Sequence, residues 1–475
     1  MATAAPGETS DLLIVGAGTA GIPAAIFAAR GGASVTVIDA ADAIGGTLHL
    51  SAGQISAAST PAQRRRGIDD DPERHFADIM RISRDTANAA LTRLAVDHVS
   101  DMLAWLVESG LDLPASHPVI DPVNEPYSRP RTYWHPDGGR AILRAIVPQF
   151  EAERDRGAVA LHLGTRLRDL IVENGRVVGV RAEADGVMRA FRARSVVLTT
   201  GGFTADAPMF ARMTNGRARH GSGYSFARGD GLAAALDAGG IVANVDLFLP
   251  AFAAVENPDA RDGYSFDTRT DPANRPPWEL YVDLDGRRFM REDEPDLNTR
   301  QRALLGLRDL RFWAIYDART MREGPPFPSR GWQALEGRFA AGLPGYARGD
   351  TVAELAGHMQ ADPVVLAQTI AAYNAAVTLA QPDPFGRVHR PGPVAEPYHA
   401  IRHSGWSPTG FAGLAVDESL RVVGADDQPI PGLYAAGEIL GMAATAGRSF
   451  CSGMSLGPAL TFGRLLGQRS WAGTD

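Results

Sequence analysis

The first forty residues constrain this chain most, because they place a strand, a glycine turn, a helix and a second strand in close succession. An apolar run over residues 12–15 is followed by Gly16, Gly18 and Gly21 in the spacing G-x-G-x-x-G. An alanine-rich segment then leads to a second run of β-forming residues, 34–39, which ends in an acid. This order is typical of a dinucleotide-binding βαβ unit.

The three glycines and the closing acid have separate expected roles. Gly16 permits the tight turn, Gly18 lets the backbone approach a pyrophosphate, and Gly21 lets the helix pack on the strand. The N-terminus of the helix presents N–H groups and the positive end of its dipole to phosphates. Asp39 is placed to accept hydrogen bonds from ribose hydroxyls. The alternative interpretation is a glycine-rich turn without a ligand.

Two further segments carry features of a nucleotide site. Residues 45–53 form a glycine- and serine-rich loop that is able to lay backbone amides against phosphates, although an ordinary loop has a similar composition. Far along the chain, a short predicted strand ends at Gly437 and Glu438. Ser455 and Leu456 begin a predicted helix with a proline near its first turn, as helix entry prefers.

The composition is that of a globular protein, with 45% hydrophobic and 21% charged residues. The net charge of −8, without a sustained basic run, argues against nucleic acid and anionic membranes as partners. The uncharged run 12–29 is long enough for a membrane span, but its flank is acidic and its glycines suit a nucleotide loop better. The single cysteine, Cys451, excludes an internal disulfide and a cysteine-based metal site. We therefore expect a cytoplasmic protein without a metal.

The pattern of apolar residues predicts alternating helical and extended segments. Residues 72–110 have helical apolar spacing, and from about residue 159 the pattern changes to strands, with a hairpin turn at Asn174-Gly175. Residues 195–202 are predicted to be a buried strand that ends in glycines. A buried strand after a β-meander suggests a return to the parallel sheet.

Nucleotide-fold features at both ends of the chain indicate a discontinuous domain. The composition shifts near residue 245, and a run of prolines over 382–397 indicates a second boundary. The prediction is an α/β fold with a Rossmann-like domain that is interrupted by an inserted α+β domain. The predicted bounds are 1–245 and 395–475 for the nucleotide domain and 246–394 for the inserted domain.

Six ordered motifs resemble those of the FAD-binding flavoproteins of the fumarate reductase and 3-ketosteroid Δ1-dehydrogenase superfamily. The motifs are Gly16–Gly21 with Asp39, Gly45-Gly46-Thr47 with Ser51-Ala-Gly53, Thr199-Thr200-Gly201-Gly202, Gly229-Asp230-Gly231, Tyr281-Val-Asp-Leu-Asp-Gly286-Arg-Arg-Phe289, and Gly432-Leu-Tyr-Ala-Ala-Gly437-Glu438. The resemblance runs nearly end to end. It implies a Rossmann-like FAD domain of the glutathione-reductase type and an inserted capping domain for substrate.

The resemblance implies an FAD site built from both ends of the chain. Its cofactor contacts are expected at Gly16, Gly18, Ala20, Gly21, Asp39, Ala40, Gly45, Gly46, Thr47, Ser51, Ala52, Gly53, Leu167, Thr200, Gly201, Asp230, Gly437, Glu438, Ser455 and Leu456. Leu167 would reach adenine through its backbone, and Glu438 would bind the ribityl chain or ribose. The helix that begins at Ser455 would face the flavin pyrimidine ring and stabilise the charge of reduced flavin. Some relatives bind FAD covalently through a histidine, and Thr47 matches that position best, which implies non-covalent FAD.

The chemistry implied by the resemblance is hydride transfer between the flavin and a C–C bond beside a carbonyl or carboxylate. A side chain moves the second proton, and cationic or hydrogen-bonding groups polarise the carbonyl. The C-terminal glycine loop is more similar to that of the ketosteroid dehydrogenases, although their loop tyrosine is Phe450 here. We therefore expect a desaturase of a cyclic keto compound or keto acid, with an electron acceptor that the sequence does not identify.

Three candidate catalytic residues lie in one loop. Tyr127, Arg131 and Tyr133 stand close together in the sequence, and the family geometry would bring them near the cleft. An arginine beside a tyrosine lowers the pKa of the phenol and so prepares a base. The alternative interpretation is that the arginines of this loop are solvated and its aromatic residues pack.

Three more candidates lie further along the chain. Arg300 is a candidate proton donor or carboxylate anchor, and Arg448 and Ser449 are candidate substrate contacts. The alternative for Arg300 is a surface ion pair with the acids at 292–296.

Two other functions stay open on the sequence alone. A fumarate-reductase-like ene reductase of an unsaturated acid uses the same site in the opposite direction, and the flavin potential and the electron partner decide the direction. From a different class, a non-catalytic or RNA-modification flavin-binding protein fits the cofactor motifs, although the acidic charge argues against RNA.

Overall fold

The chain forms two compact units. The computed structural model describes residues 9–121, 124–216, 219–220, 223–245, 247–260, 263–272, 274–325, 333–407 and 409–471. The first unit comprises Met1–Thr214, Ser222–Phe248 and Thr409–Asp475, and the second comprises Asn215–Gly221 and Leu249–Pro408.

Both units contain strands and helices. The strands are β1 Ser10–Val15, β2 Val35–Ile38, β3 Ile55–Ser56, β4 Thr132–Tyr133, β5 Val159–His162, β6 Thr165–Glu173, β7 Arg176–Ala184, β8 Val187–Leu198, β9 Arg219–His220, β10 Val242–Ala243, β11 Ala251–Glu256, β12 Tyr264–Phe266, β13 Leu280–Val282, β14 Arg311–Asp317, β15 Tyr346–Gly349, β16 Tyr398–Ser407, β17 Gly413–Leu414, β18 Arg421–Val423 and β19 Pro429–Ala435. The helices are α1 Gly21–Arg30, α2 Pro61–Arg65, α3 Pro72–Ser83, α4 Ala89–Glu108, α5 Gly139–Asp155, α6 Ala207–Met213, α7 Asp230–Asp237, α8 Leu297–Leu305, α9 Ala318–Glu323, α10 Gln333–Ala340, α11 Val352–Met359, α12 Pro363–Thr378, α13 Ala443–Ala446 and α14 Leu456–Gly467.

One mainly parallel sheet forms the centre of the first unit. Strands β5, β2, β1, β8 and β19 run parallel in this order, and β18 adds an antiparallel edge. The first half of β8 pairs with β7 of the β6–β7–β8 meander, and its second half pairs with β1. The Rossmann-like fold with a β-meander is therefore confirmed, and the hairpin turns at Asn174-Gly175 as predicted.

Helices from the two ends of the chain cross at close range in the first unit. A Cβ at Gly463 of α14 would collide with the Ala20 carbonyl oxygen, and one at Gly467 would come within 2.6 Å of the Ala24 carbonyl oxygen. Because only glycine leaves this space, α1 and α14 pack backbone against backbone. Their N-termini, at Ala20 and Ser455, thereby belong to one compact body.

The predicted helical segment 72–110 is two helices instead of one. α3 ends where Arg84 and Asp85 both adopt positive φ angles of 55° and 56°. The Asn88 side chain then caps α4 by accepting a hydrogen bond from the Leu91 amide at 3.0 Å. The sequence pattern predicted one continuous helical segment because neither glycine nor proline stands at the break.

The second unit contains a mostly antiparallel sheet. Its strand β16 pairs with β11, β14 and β15. Helices α11 and α12 contribute Leu355, Leu366 and Ile370 to a core shared with β14 and β16. The unit is an α+β structure of its own, with its apolar residues buried between the helices and the sheet.

The observed unit boundaries differ from the predicted ones. The first unit ends at Phe248 instead of residue 245 and resumes at Thr409 instead of 395. The second difference arises because the proline run 382–397 precedes strand β16, which pairs with β14 over residues 398–404. The prolines therefore lie within the second unit and do not form a linker between units.

Candidate cofactor and substrate site

The glycine turn after β1 has the steric properties that its spacing predicts. A Cβ at Gly16 would collide with the Thr199 carbonyl oxygen, and one at Gly21 would collide with the Gly16 carbonyl oxygen. Among the described atoms, a Cβ at Gly18 would come no nearer than 3.8 Å, to Gly46 Cα. Space for a ligand therefore lies beside Gly18, as the close approach of a pyrophosphate requires.

The N-terminus of α1 is open at the same turn. Its N-cap residue is Ala20, and within the described residues no side chain caps it and no acid stands in its first turn. Its N–H groups and the positive end of its dipole are therefore available to an anion. The Gly45 amide donates to the Ala17 carbonyl at 2.8 Å and thereby holds the second glycine loop against this turn.

Asp39 organises the turn with its carboxylate. One carboxylate oxygen accepts from the Ala17 amide at 2.6 Å, and the other accepts from the Ala41 amide at 2.7 Å. Burial raises the pKa of Asp39, and these two hydrogen bonds oppose the rise. A carboxylate has about four lone-pair sites, so Asp39 keeps acceptor capacity beside Ala40 for a ribose hydroxyl. Ribose binding stays a prediction.

The second glycine loop is held against the start of α5. The Gly139 amide donates to the Ser51 carbonyl at 2.9 Å, and the Gly53 amide donates to Ser51 Oγ at 3.0 Å. Thr47 is half-buried in a 3₁₀ turn, and Ala52 is exposed. The loop thus presents backbone and small side chains beside the first turn, which suits a diphosphate.

The end of β8 contains an unsatisfied polar atom. Thr200 Oγ1 is buried and has no hydrogen-bond partner in the described part of the chain. Buried hydroxyls are normally paired, so Thr200 Oγ1 has hydrogen-bonding capacity left for a ligand. Gly201, which follows, has a positive φ of 74°. Both residues fit their predicted place in the cofactor site.

The start of α7 is tied to the meander by an ion pair that the sequence analysis missed. Asp230 accepts from the Arg166 guanidinium at 2.8 Å. Arg166 directly precedes Leu167, whose side chain is buried in β6 next to a shift of strand register. The alternation of side chains along β6 is the signal that could have placed Arg166 on the opposite face from Leu167.

Glu438 closes the other side of the site. Its carboxylate accepts from Thr409 Oγ1 at 3.2 Å and from the Gly202 amide. Burial raises the pKa of Glu438, and these hydrogen bonds oppose the rise. A Cβ at Gly202 would come within 2.9 Å of a carboxylate oxygen, so glycine is required for this contact.

A recess that is partly open to solvent lies between Gly437 and the N-terminus of α14. It is lined by Gly437, Glu438, Leu440, Gly441, Met442, Ala444, Thr445, Met454, Ser455, Pro458, Ala459 and Phe462. Ser455, the N-cap of α14, is exposed, and in the described ranges neither a side-chain cap nor a first-turn acid occupies this helix end. The positive helix end at the edge of this recess would stabilise the negative charge of a reduced flavin ring placed beside it.

Arg131 lies in a buried ion-pair cluster. Its fully buried guanidinium contacts Asp70 at 2.7 Å and 3.0 Å and Asp78 at 2.7 Å. The amide and hydroxyl of Ser128 also donate to Asp78. All of this holds the loop to α3, so Arg131 is not solvated; its catalytic role stays a prediction. The two acids lie 53 and 61 residues upstream, too far for a local sequence pattern to indicate the pairing.

The two loop tyrosines are neutral and hydrogen-bonded. The Tyr133 hydroxyl pairs with Thr60 Oγ1, and the Tyr127 hydroxyl donates to the Ser452 carbonyl at 2.6 Å. Burial raises the pKa of Tyr133 to about 12 and that of Tyr127 well above its usual value. The Arg131 guanidinium lies over the Tyr127 ring, 5.0 Å from its centre. The predicted lowering of a phenol pKa in this loop is therefore wrong, because desolvation outweighs the nearby positive charge.

Arg448 and Ser449, the predicted substrate contacts of the C-terminal loop, have different surroundings. Ser449 is buried and donates to the Ile82 carbonyl at 2.8 Å, which gives its hydroxyl a structural partner. Arg448 is exposed, with its amide bonded to Thr86 Oγ1 at 2.9 Å. Phe450 is half-buried, with its ring edge-on to Phe411 at 5.5 Å. The loop therefore offers a cation and an aromatic ring at its surface.

Within the second unit, Arg300 is buried in α8. Its guanidinium donates to the carbonyls of Glu294 and Pro295, and its Nε has no partner among the described residues. The predicted alternative, a surface ion pair, is therefore wrong. Its role as proton donor or carboxylate anchor stays a prediction. Burial lowers the pKa of His403 in the same unit to about 4, so this ring is neutral.

Two findings bear on possible partners. Within the described residues, no helix combines the length and the apolar character that a membrane crossing needs. The same residues contain no group of three or more His, Cys, Asp or Glu side chains that could hold a metal ion.

Comparison with known proteins agrees with this site. The family "FAD binding domain" matches residues 11–453. A probable fumarate reductase, Ifc3, of Shewanella frigidimarina (strain NCIMB 400) is 28% identical over 98% of this chain and 76% of its own length. A 4-oxocyclohexanecarboxylate 2-dehydrogenase of Sinomonas cyclohexanicum is 25% identical over 98% of this chain and 93% of its own length.

A solved structure supports the fold. The 3-ketosteroid Δ1-dehydrogenase of Sterolibacterium denitrificans, in complex with 1,4-androstadiene-3,17-dione, superposes with a TM-score of 0.74 at 20% identity, over 98% of this chain and all of its own. The predicted resemblance is confirmed, with relatives from both branches. The chain belongs to the FAD binding domain family and is an FAD-dependent oxidoreductase that acts on CH–CH groups.

Proposed function

We propose that this protein is a desaturase that removes a hydride and a proton from the C–C bond next to the carbonyl of a cyclic keto acid. Bound FAD supplies the acceptor for the hydride. The turn at Gly18, the open N-terminus of α1 and Thr200 would hold its diphosphate and ribose. The recess at Gly437 and Ser455 would take the ring system.

The observation that carries the substrate class is the pair of side chains offered by the C-terminal loop. Arg448 is exposed, and the half-buried ring of Phe450 meets Phe411 edge-on. A guanidinium pairs with a carboxylate, and an aromatic face takes an apolar ring. Together they suit a molecule that carries a carboxylate on a saturated ring. The relationship to a 4-oxocyclohexanecarboxylate dehydrogenase supports the same class.

We also propose that FAD is held without a covalent bond. Thr47 stands at the position that best matches the histidine of covalently flavinylated relatives and has no nucleophilic nitrogen. The nearby His49 has its Nε2 3.0 Å from the Ile44 carbonyl, which engages that ring nitrogen. Denaturation should release the whole cofactor into solution.

The single, buried cysteine is compatible with the cytoplasm, which we propose as the location.

The second candidate is reduction of an unsaturated acid with the same residues. The 28% identity to a fumarate reductase favours it. Arg300 would then act as the proton donor. A small dicarboxylate has no ring for Phe450 to contact, so we rank this function second.

Anaerobic mixing of the FAD-loaded protein with 4-oxocyclohexanecarboxylate tests the proposal. We expect the flavin absorbance to bleach with this acid and to bleach at much higher concentration with cyclohexanone, which lacks the carboxylate. Arg448→Gln should weaken the response to the acid about 10- to 100-fold, since an Arg–carboxylate contact is worth roughly 1.5–3 kcal/mol. The exposed Arg129→Gln is the matched control. No bleaching by any cyclic ketone, together with reoxidation of the reduced protein by fumarate, would favour the second candidate and reject the first.

A further inference from the structure

The carbonyl of Ser452 receives two buried hydroxyl donors in the first unit. Ser56 Oγ donates to it at 2.7 Å, and Tyr127 Oη donates to it at 2.6 Å. Ser56, Tyr127 and Ser452 are all at most 3% exposed. Both lone pairs of this oxygen are thus used by side chains, and neither bond belongs to a helix or sheet ladder. Such a pair fixes one peptide group very firmly.

The donors come from a rigid framework next to the loop. Ser56 lies in β3 and faces Thr132 of the paired strand β4. Thr132 Oγ1 lies 3.1 Å from Ser56 Oγ and 3.3 Å from Ser452 Oγ. A Cβ at Gly453 would collide with the Ser56 amide, so the loop backbone already presses on β3. The hydroxyls therefore act on a backbone that has little freedom to move away.

The fixed peptide leads directly into α14. The Ser452 carbonyl shares a planar peptide unit with the Gly453 amide, so holding the oxygen sets the orientation of Gly453. The Gly453 carbonyl then accepts the Gly457 amide at 3.0 Å, a first bond of the helix. Thr445 Oγ1 holds the intervening Met454 carbonyl at 2.7 Å. The two hydroxyls at Ser452 therefore hold the peptide group from which the N-terminus of α14 begins.

We propose that Tyr127 and Ser56 are positioning residues that aim the positive end of α14 at the flavin and so raise its reduction potential. This rests on the proposed placement of the flavin ring beside Ser455. A helix N-terminus stabilises negative charge only within about its first turn, so a small tilt reduces the effect. Tyr127 thus has a role different from the proton transfer that its sequence position suggested.

The test is the reduction potential of the FAD-loaded protein, measured without substrate against a reference dye. Tyr127→Phe and Ser56→Ala each remove one donor from the Ser452 carbonyl. We expect each to weaken the binding of reduced relative to oxidised FAD about five- to tenfold. For a two-electron couple this is a potential about 20–30 mV more negative. The double variant should shift less than the sum, because both donors act on one oxygen.

Tyr373→Phe is the matched control. Tyr373 is also buried and donates its hydroxyl to a backbone carbonyl, that of Gly392, at 3.3 Å, but it lies in the second unit. The Tyr373→Phe variant should lose about as much thermal stability as Tyr127→Phe and should keep the reduction potential of the wild type. The inference is overturned if Tyr127→Phe and Ser56→Ala move the potential no more than Tyr373→Phe does. If Tyr127→Phe does not fold, the reduction potential of Ser56→Ala alone tests the inference. Failure of the substrate proposal is a separate result, because it is read on the wild-type protein with ketones.

Discussion

Replacement of Arg131 by methionine tests whether this residue is structural or catalytic. The substitution keeps most of the side-chain volume and removes the charge between Asp70 and Asp78. The three side chains are 0%, 0% and 6% exposed, so the pairs belong to the buried class. Removing one partner of a buried pair costs about 3–5 kcal/mol, whereas an exposed pair is worth about 0–1 kcal/mol. We therefore expect the free energy of unfolding to fall by about 3–5 kcal/mol.

The effect is large enough for a simple assay. About 2–4 °C of melting temperature is lost per kcal/mol in domains of this size range, so the variant should melt roughly 6–20 °C below the wild type. Circular dichroism during heating, with and without FAD, measures this. The control is Arg129→Met, which changes an exposed arginine of the same loop and should shift stability by about 0.5 kcal/mol or less.

The pH dependence of the stability tests whether the ion pairs of Arg131 stabilise the fold. Burial tends to raise the pKa of Asp78, but hydrogen bonds from Ser128 and Arg81 and the charge of Arg131 lower it below its ordinary 3.8. A carboxylate with a lowered folded-state pKa contributes stability above its unfolded pKa and loses it as pH falls through the folded value. The stability gap between wild type and Arg131→Met should therefore be full at neutral pH and shrink below about pH 4. A variant with wild-type stability and no turnover would refute the structural role.

Three further perturbations separate cofactor binding, acid stability and proton transfer. Gly18→Ala should leave the melting temperature of the apoprotein nearly unchanged and weaken FAD at least tenfold by titration, whereas Gly21→Ala should prevent folding, because its Cβ meets the Gly16 carbonyl. Burial would raise the pKa of Glu279, but Arg275 lowers it to about 2. The free energy of unfolding should therefore fall as the pH drops from about 4.5 to 2. In Glu279→Gln, the free energy of unfolding should depend less steeply on pH over this range. Tyr133→Phe should keep the shape of the pH–rate profile for ketone oxidation; loss of a limb of that profile would make Tyr133 the base.

The glycine turn after β1 was predictable because its signals are local. The roles of Gly16, Gly18 and Gly21 follow from sequence spacing, since backbone clearance in a βαβ turn depends on neighbours a few residues away. The fold class followed from the order of strands and helices for the same reason. The open N-terminus of α14 was also readable, because its start carries a proline in the first turn.

The contacts of the loop at 127–133 were not predictable because its partners are distant in sequence. Tyr127 bonds a carbonyl 325 residues away, and Arg131 bonds acids 53 and 61 residues away. Residue type alone does not distinguish an arginine that neutralises buried acids from one that binds a substrate. The same limit applies to the prolines before β16, where turn-forming residues preceded a strand in the middle of a sheet.

The most direct test of the account is the product formed from 4-oxocyclohexanecarboxylate by the FAD-loaded protein with an artificial electron acceptor. Mass spectrometry and ultraviolet absorbance should show a product that has lost two hydrogens and contains a carbon–carbon double bond conjugated to the ketone. An unchanged ketone under these conditions, with conversion of an unsaturated acid to its saturated form when reductant is supplied instead, would contradict the account.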